Sequence, residues 1–368
     1  MLKVGIIGTG VIFDLNILGY LNNEDVEITA LCNRTVEKAE VKKEKFNLPK
    51  DISVYSDYKK MMDEEKLDIV DILLPHHLHA DATLYAASKG TKGISVQKPM
   101  ALSLEEADKM IKACEEAGSV LSIFENFVFD PHIQKAKELL SEGYLGDIAS
   151  LRIKVAMGAK GGWKTPVSAD KWRQDPTQVG GSSKGSPVLF DNGWHAFTLG
   201  WWLFEKKIEK VYARTDNFRG IDAPAYVMWK CERDKTKVTP QYGNMEFALM
   251  PKMKIPSKYY PTDEFIDIVA SRGLMKINQA TSLGNSMTNS EVFSPITVVR
   301  DGKVEIIDNF ELDWKYSFIN ATKHFIEAVK GNVEPILSGE QARYVLKFNL
   351  AAIKSAETGE QVNLKELE

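Results

Sequence analysis

Leu2-Lys-Val-Gly-Ile-Ile-Gly-Thr-Gly-Val-Ile-Phe13 opens the chain. Val4 to Ile7 is a short apolar run of the kind a buried parallel strand carries. Gly8 and Gly10 follow at once, and an amphipathic stretch from about Val11 to Leu21 predicts a helix. Strand, glycine turn and helix in this order form the opening of a dinucleotide-binding unit. Gly8 permits the tight turn, and Gly10 lets the backbone approach a pyrophosphate at a helix N-terminus. A third glycine, expected three residues on, is replaced by Phe13. The turn alone also suits an α/β protein with no such ligand; the regular alternation that follows it favours the dinucleotide.

Val26 to Cys32 reads as a second buried strand, closed by Asn33-Arg34. An acidic residue there would hold the ribose 2′-hydroxyl of NAD. Asn33 with Arg34 instead removes repulsion toward a 2′-phosphate and supplies a charge-assisted fork, which favours NADP over NAD. Arg34 could equally cap a surface turn. Val36 to Phe46 is a Lys/Glu-rich helix, Ser53 to Tyr55 a short strand, Asp57 to Glu65 a helix, and Ile69 to Leu74 another buried strand. Pro75-His-His-Leu-His79 follows at that strand's carboxyl end. Its histidines suit substrate or cofactor groups better than a metal, because Asp81 is the one carboxylate at ligand spacing. Gly93 to Val96 is a strand leading into Gln97-Lys98-Pro99. Ser103-Leu-Glu-Glu106 is a capping box for a helix that Gly118 stops. Val120 to Phe124 is a last strand, ending Glu125-Asn126. Six strands alternating with helices predict a doubly wound parallel sheet over residues 1–125.

The pattern then changes. After a helix from about Pro131 to Glu142 come period-two segments at Ala149 to Ala156, Ile208 to Thr215, Ala225 to Glu232, Met245 to Met250, Phe265 to Ala270 and Leu274 to Ile277. Val298 to Ile306 reads as a hairpin turning at Asp301-Gly302. Two helices, about Tyr316 to Lys330 and Glu340 to Thr358, close the chain. Residues 126–368 are thus expected to form an α+β domain with a large, mostly antiparallel sheet, packed on the first without a long linker.

Composition narrows the function. The chain has 368 residues, 44 % of them apolar, and a net charge of −4. That length suits two domains, and that charge argues against nucleic acid or an anionic membrane as partner. Its three widely spaced cysteines argue for a reducing cytoplasm rather than a disulfide framework. It carries no run of 18 apolar residues of the kind that spans a membrane.

Chemistry is expected at three places. Lys98 lies at the carboxyl end of a parallel strand, where open α/β sheets hold their ligands. In a dry cleft it can hydrogen-bond a substrate hydroxyl and lower its pKa. Asp191 and His195 stand four apart, so on an α-helix they share one face, where a carboxylate raises an imidazole's basicity and fixes its tautomer. A capping Asp and a buried core His would show the same spacing. Trp163, Trp172, Trp194, Trp201 and Trp202 are five of the seven tryptophans, crowded into 40 residues. Sugar faces stack on such rings, although tryptophans are more often core.

In order and spacing these motifs resemble the glucose–fructose oxidoreductase / inositol dehydrogenase / MocA (Gfo/Idh/MocA) family over essentially the whole chain. The family's glycine turn is matched by Gly8-Thr-Gly10, its Pro-x-x-x-His segment by Pro75 to His79, and its Glu-Lys-Pro motif by Gln97-Lys98-Pro99. Its Trp-Arg-x-Asp-Pro segment is matched by Trp172-Arg-Gln-Asp-Pro176, its glycine run by Gly180-Gly181, and its Asp-x-Gly-x-His motif by Asp191-Asn-Gly-Trp-His195. The ending from Ile336 to Gly359 is also typical. Departures are Phe13 near the turn, Gln97 for Glu, and Thr198 where many members place an Asp.

The resemblance implies an N-terminal Rossmann domain and NAD(P)-dependent hydride transfer at a secondary hydroxyl or ketone of a sugar, sugar derivative or cyclitol. By carry-over Lys98 polarises the reacting C–O group, His195 is the acid/base and Asp191 supports it. Expected cofactor contacts run from Gly8 and Thr9 through Gly10, Val11 and Ile12 to Asn33 and Arg34. They continue with Leu74, Pro75, His76 and His79, then Gln97 and Lys98, and end with Asn126, Trp172 and Arg173. Trp163, Trp172, Asp191, Asn192, His195 and Lys98 are expected to meet substrate, and no metal is expected. A homodimer or homotetramer is implied, because an antiparallel sheet needs its outer face covered. Two rival classes share these motifs: a glycosidase or lyase that oxidises the sugar transiently, and a non-catalytic NADP-sensing regulator. Intact Lys98, Asp191 and His195 argue against the regulator.

Overall fold

The computed structural model describes residues 1–160, 162–163, 172, 175–181, 186–218, 220–236, 239–255, 258–279 and 294–367. By packing, the chain divides into two compact units. The first comprises Met1–Asn126, Thr177–Val179 and Phe318–Leu346, and the second Phe127–Pro176, Gly180–Ser317 and Lys347–Glu368.

In the first unit β1 (Leu2–Ile7), β2 (Val26–Cys32), β3 (Ser53–Tyr55), β4 (Ile69–Ile72), β5 (Gly93–Gln97) and β6 (Val120–Phe124) form one parallel sheet in the order β3-β2-β1-β4-β5-β6. The order reverses direction between β1 and β4, the switch point at which doubly wound sheets bind ligands. The crossover helices are α1 (Phe13–Leu21), α2 (Val36–Lys45), α3 (Tyr58–Glu64), α4 (His79–Ser88) and α5 (Leu104–Ala117). Their ends follow sequence signals. Asp57 accepts from Lys59 N and Lys60 N at the start of α3, and Ser103 Oγ accepts from Glu106 N at the start of α5, which Gly118 closes at φ 68°.

Phe13 does not open a gap where a glycine was expected. It is fully buried among Val4, Ile6, Ile17 and Leu31, with its ring edge-on to Phe46 at 5.9 Å. Close helix approach occurs instead at Gly19. A Cβ there would lie 2.2 Å from the Cβ of Thr322, on the helix Lys315–Val329. Phe325 and Ile326 of that helix complete the core around β1. The return of Phe318–Leu346 to the nucleotide unit leaves no mark in the linear sequence, because its apolar stripe does not say which sheet it covers.

The second unit carries a nine-stranded sheet in the order β14-β13-β12-β11-β7-β10-β9-β8-β15. Its strands are β7 (Ile148–Lys160), β8 (Ile208–Thr215), β9 (Ala225–Cys231), β10 (Tyr242–Lys254), β11 (Thr262–Ala270), β12 (Gly273–Gln279), β13 (Ile296–Arg300), β14 (Lys303–Ile307) and β15 (Val362–Asn363). All pairs are antiparallel except β7 with β10. The β13–β14 hairpin turns at Asp301 and Gly302, with φ 50° and 77°, the left-handed pair an Asp-Gly turn supplies. One sheet face is core: Leu151, Ile153, Val227, Trp229, Met245, Phe247, Ile266 and Ile268 are all at most 1 % exposed. Trp194 and Phe197 of the helix Gly193–Phe204 are fully buried too. On the other face Tyr226, Met228, Tyr242, Met250 and Val269 are 45–59 % exposed. Among the described residues no helix is long and apolar enough to cross a membrane.

Gly19→Ala gives a signed test of this packing. Alanine on an open helix gains about 1 kcal/mol over glycine. Here the overlap with Thr322 should cost roughly 1–3 kcal/mol and lower the melting temperature. Calorimetry showing an unchanged or higher Tm would mean that α1 and Lys315–Val329 are free to part.

Candidate functional site

The first group of candidate residues gathers just past the carboxyl ends of the parallel strands. At the end of β1, Gly8 has φ +98° and donates its N–H to Cys32 O at 2.8 Å. A Cβ on Gly8 would stand 2.4 Å from Leu73 O, so glycine alone fits. Gly10 is exposed, and a Cβ there would meet nothing within 4 Å. Val11 and Ile12 continue the turn, half-buried, and α1 begins at Phe13, two residues later than the periodicity suggested. This is the cradle a pyrophosphate needs: open space against a glycine backbone, ahead of a helix N-terminus. The residues present therefore fit a dinucleotide.

The end of β2 bears on the cofactor's ribose. Asn33 donates from Nδ2 to Thr9 Oγ1 at 2.8 Å and accepts from Thr35 N at 2.9 Å through Oδ1. Both ends of its amide are thus engaged in shaping the turn. Arg34 is exposed beside it, and no carboxylate closes the strand.

At the end of β4, Leu74 and Pro75 are half-buried while His76 and His79 are buried. His79 Nδ1 lies 2.9 Å from Pro99 O and its Nε2 2.8 Å from Leu74 O. One ring thus ties the loop after β4 to the residue following Lys98. Burial holds this imidazole below its ordinary pKa against the pull of the two carbonyls, and a neutral ring donates to one of them at a time. His76 Nδ1 lies 3.0 Å from Val179 O. These histidines are hydrogen-bonded architecture, and among the described residues no three His, Cys, Asp or Glu side chains could hold a metal ion. Gln97 ends β5 and Lys98 follows it, both half-buried, and the Lys98–Pro99 peptide is cis. Asn126, buried, follows β6.

The second group lies in the second unit. The spacing of Asp191 and His195 suggested one α-helical face. The structure differs: Pro187–Asn192 is wound as a π-helix, and the α-helix starts at Gly193. Asp191, 3 % exposed, thus belongs to a different winding from His195. Wide turns of this kind are frequent at functional sites. Their free N–H groups need acceptors, and Asp222 supplies them, bonding Val188 N at 2.8 Å and Leu189 N at 3.0 Å. Burial pushes the Asp222 carboxyl up to about 6, with the two N–H groups opposing the shift. Asn349 Nδ2 binds Leu189 O at 2.7 Å from another helix. Asn192 is exposed and donates to Pro187 O at 3.2 Å. Thr198 is buried, its hydroxyl donating to Trp194 O at 2.9 Å.

His195 is half-buried and stacks on Phe127, with centroids 4.0 Å apart and planes 25° apart. Phe127 meets Trp314 edge-on at 6.0 Å. Trp314 leads on to Trp163, whose ring stands edge-on to Tyr259 at 5.3 Å and Tyr260 at 5.4 Å. The structure therefore links Trp163 to His195 through aromatic rings far apart in sequence. Phe127 and Trp314 carried no motif that would have singled them out, and Asp222 none either. Trp194 is core. Trp172 is half-buried, and Arg173 lies outside the described residues.

Comparison with known proteins agrees with this geometry. Residues 2–125 match the oxidoreductase family model described as an NAD-binding Rossmann fold, and residues 137–364 match that family's C-terminal alpha/beta domain. D-xylose 1-dehydrogenase (NADP(+)) 2 of Haloferax volcanii is 25 % identical over 98 % of this chain and 99 % of its own length. Myo-inositol 2-dehydrogenase of Thermotoga maritima is 22 % identical over 100 % of this chain and 99 % of its own. A solved oxidoreductase from Agrobacterium radiobacter, in complex with NAD+, L-tartaric acid and magnesium, superposes with a TM-score of 0.81. It shares 19 % identity over 100 % of this chain and 99 % of that one. Glycine turn, strand order and both matched domains agree, and the chain belongs to the Gfo/Idh/MocA family of NAD(P)-dependent oxidoreductases.

Proposed function

We propose that the chain oxidises a secondary hydroxyl of a sugar, sugar derivative or cyclitol, or reduces the matching ketone, and that NADP is its preferred cofactor. The observation that carries the reading is Lys98, at the carboxyl end of β5 in the same sheet edge as the glycine turn. Sugar and cyclitol dehydrogenases of similar full length support the substrate class. When bound, the nicotinamide supplies the carbon that takes or gives the hydride. Gly8, Gly10 and the start of α1 hold its pyrophosphate, and Arg34 meets the 2′-phosphate. Lys98 Nζ donates to the substrate oxygen and favours its alkoxide character. His195 takes the hydroxyl proton, and Asp191 supports that imidazole's charge. Asn192, Trp163 and Trp172 are assigned to the sugar.

His195→Ala should depress turnover by ~10²–10⁴-fold, the range of a positioned acid/base. Cofactor affinity should hardly change. Lys98→Ala should also cost rate. The double variant should lose less than the product of the two, since groups serving one transfer are not additive. Near-normal turnover in His195→Ala with a lowered Tm would make His195 a core residue and sink the assignment.

NADP should bind more tightly than NAD, and Arg34→Ala should narrow the gap. A charge-assisted phosphate contact is worth ~1.5–3 kcal/mol, or roughly ten- to a hundredfold. Fluorescence titration showing NAD tighter in the wild type would reverse this.

The exposed face bearing Tyr226, Met228, Tyr242 and Met250 supports a homodimer or a dimer of dimers built on the open sheet. Sedimentation should give a dimer or tetramer at micromolar concentration, and Met228→Asp should shift it toward monomer. A monomeric wild type would overturn the assembly.

A further inference from the structure

Asn16 and Tyr20 are four apart on α1 and so share one helical face. Ser95 and Gln97, two apart on β5, share one sheet face, and register sets Asp71 of β4 beside Ser95. Asn16 and Asp71 are fully buried. Asn16 Nδ2 donates to Asp71 Oδ2 at 2.6 Å, and Gln97 Nε2 donates to Asn16 Oδ1 at 3.1 Å. The hydroxyls of Tyr20 and Ser95 face the same carboxylate, whose Oδ1 takes no bond of ordinary geometry. A polar chain thus runs through the helix–sheet interface and ends one residue before Lys98.

We propose that Asp71 is a positioning residue for the Gln97–Lys98 segment: through Asn16 it fixes the polarity of the Gln97 amide, and it is the reason that glutamine rather than glutamate precedes Lys98. A carboxylate only accepts hydrogen bonds, while an amide donates at one end and accepts at the other. With Asp71 ionised, Asn16 must turn its NH₂ inward and its oxygen toward residue 97. Residue 97 must then be a donor. A glutamate there would place acceptors at both ends of one amide, and either orientation of Asn16 would leave an acceptor facing an acceptor. Asn16 is fully buried and residue 97 half-buried, so the mismatch falls on an amide that water cannot rescue from the Asn16 side. Burial pushes the Asp71 carboxyl up to about 6, which still leaves it charged at pH 8. The negative charge of Asp71 is in this way held two side chains back from the residue preceding Lys98.

The test is a charge-relocation cycle at pH 8 with wild type, Gln97→Glu, Asp71→Asn and Asp71→Asn/Gln97→Glu. Gln97→Glu should lower the unfolding temperature by roughly 4–8 °C. The double variant should regain most of that loss. Its new amide at position 71 can donate to a reversed Asn16, which in turn donates to the new carboxylate at position 97. If Gln97→Glu does not fold, a folded double variant supports the relay, and failure of both overturns it. Additive losses, or a Gln97→Glu variant as stable as wild type, also overturn it. The positioning role rests on Lys98 acting as read above, and kcat on the sugar substrate reports on it. Gln97→Glu should lose ~10–100-fold in kcat, and the double variant should recover to within about threefold. Recovery of stability without recovery of kcat would reduce the relay to a structural one. A wild type without sugar turnover would remove the reading of Lys98 and leave the unfolding cycle to decide the relay alone.

Discussion

The nucleotide unit depends on one close approach. Gly8 sits where any side chain would drive a Cβ to 2.4 Å from the carbonyl of Leu73. That contact joins the end of β1 to the end of β4, the two neighbouring strands whose connections leave in opposite directions. Leu73 N in turn donates to Ile7 O at 2.7 Å. Glycine at residue 8 therefore lets two strand ends close while the next turn, at Gly10, stays open to solvent. Closure and openness within three residues create the ligand cradle. The rest of the edge follows from where parallel strands stop, since each carboxyl end delivers its following residue to the same side of the sheet.

That logic explains what could be read from the sequence. Strands with continuous apolar runs, glycine stops and the Ser103 box are local features, and local features survive into the structure because nothing distant competes with them. Asp301-Gly302 is legible for the same reason: its left-handed turn is encoded in two residues. Pairing is less local. Nothing in β7 or β10 announces that they run parallel within an otherwise antiparallel sheet, because alternation reports a buried face and not a neighbour's direction. The helix Lys315–Val329 is legible as a helix, but its packing against Gly19 is decided by the shape of a partner far away in the chain, read only from coordinates.

The site divides along the same line. Lys98, Asp191 and His195 were visible as residue types in sequence order. Their supports were not. The spacing of Asp191 and His195 pointed to one α-helix, and the spacing gives no sign that Pro187–Asn192 is π-wound and that the α-helix starts only at Gly193. An aspartate well beyond Asp191 in the chain, Asp222, holds the winding through two backbone N–H groups. Phe127 comes shortly after the last strand of the first sheet and carries the His195 ring on its face. Such partners are chosen by three-dimensional proximity, and no periodicity marks them.

Asp71 and Asp222 also show a common physical device. Asp71 is fully buried and Asp222 half-buried, and desolvation raises the pKa of each carboxyl to about 6. Neither is a residue assigned to proton transfer. While ionised, such a group accepts without donating, and so it dictates the orientation of every neighbour bonded to it. Asp222 dictates where a helical turn begins; Asp71 dictates which end of an amide faces which partner. Replacing either with a neutral hydrogen-bonding group would leave two orientations close in energy, and the low-dielectric interior makes the wrong one persist. Burying a charge costs stability, since desolvation works against the ionised form. What the fold gains is a single arrangement behind Lys98 and another behind Asp191, and with the roles proposed for these two residues a small misplacement at either would lower turnover.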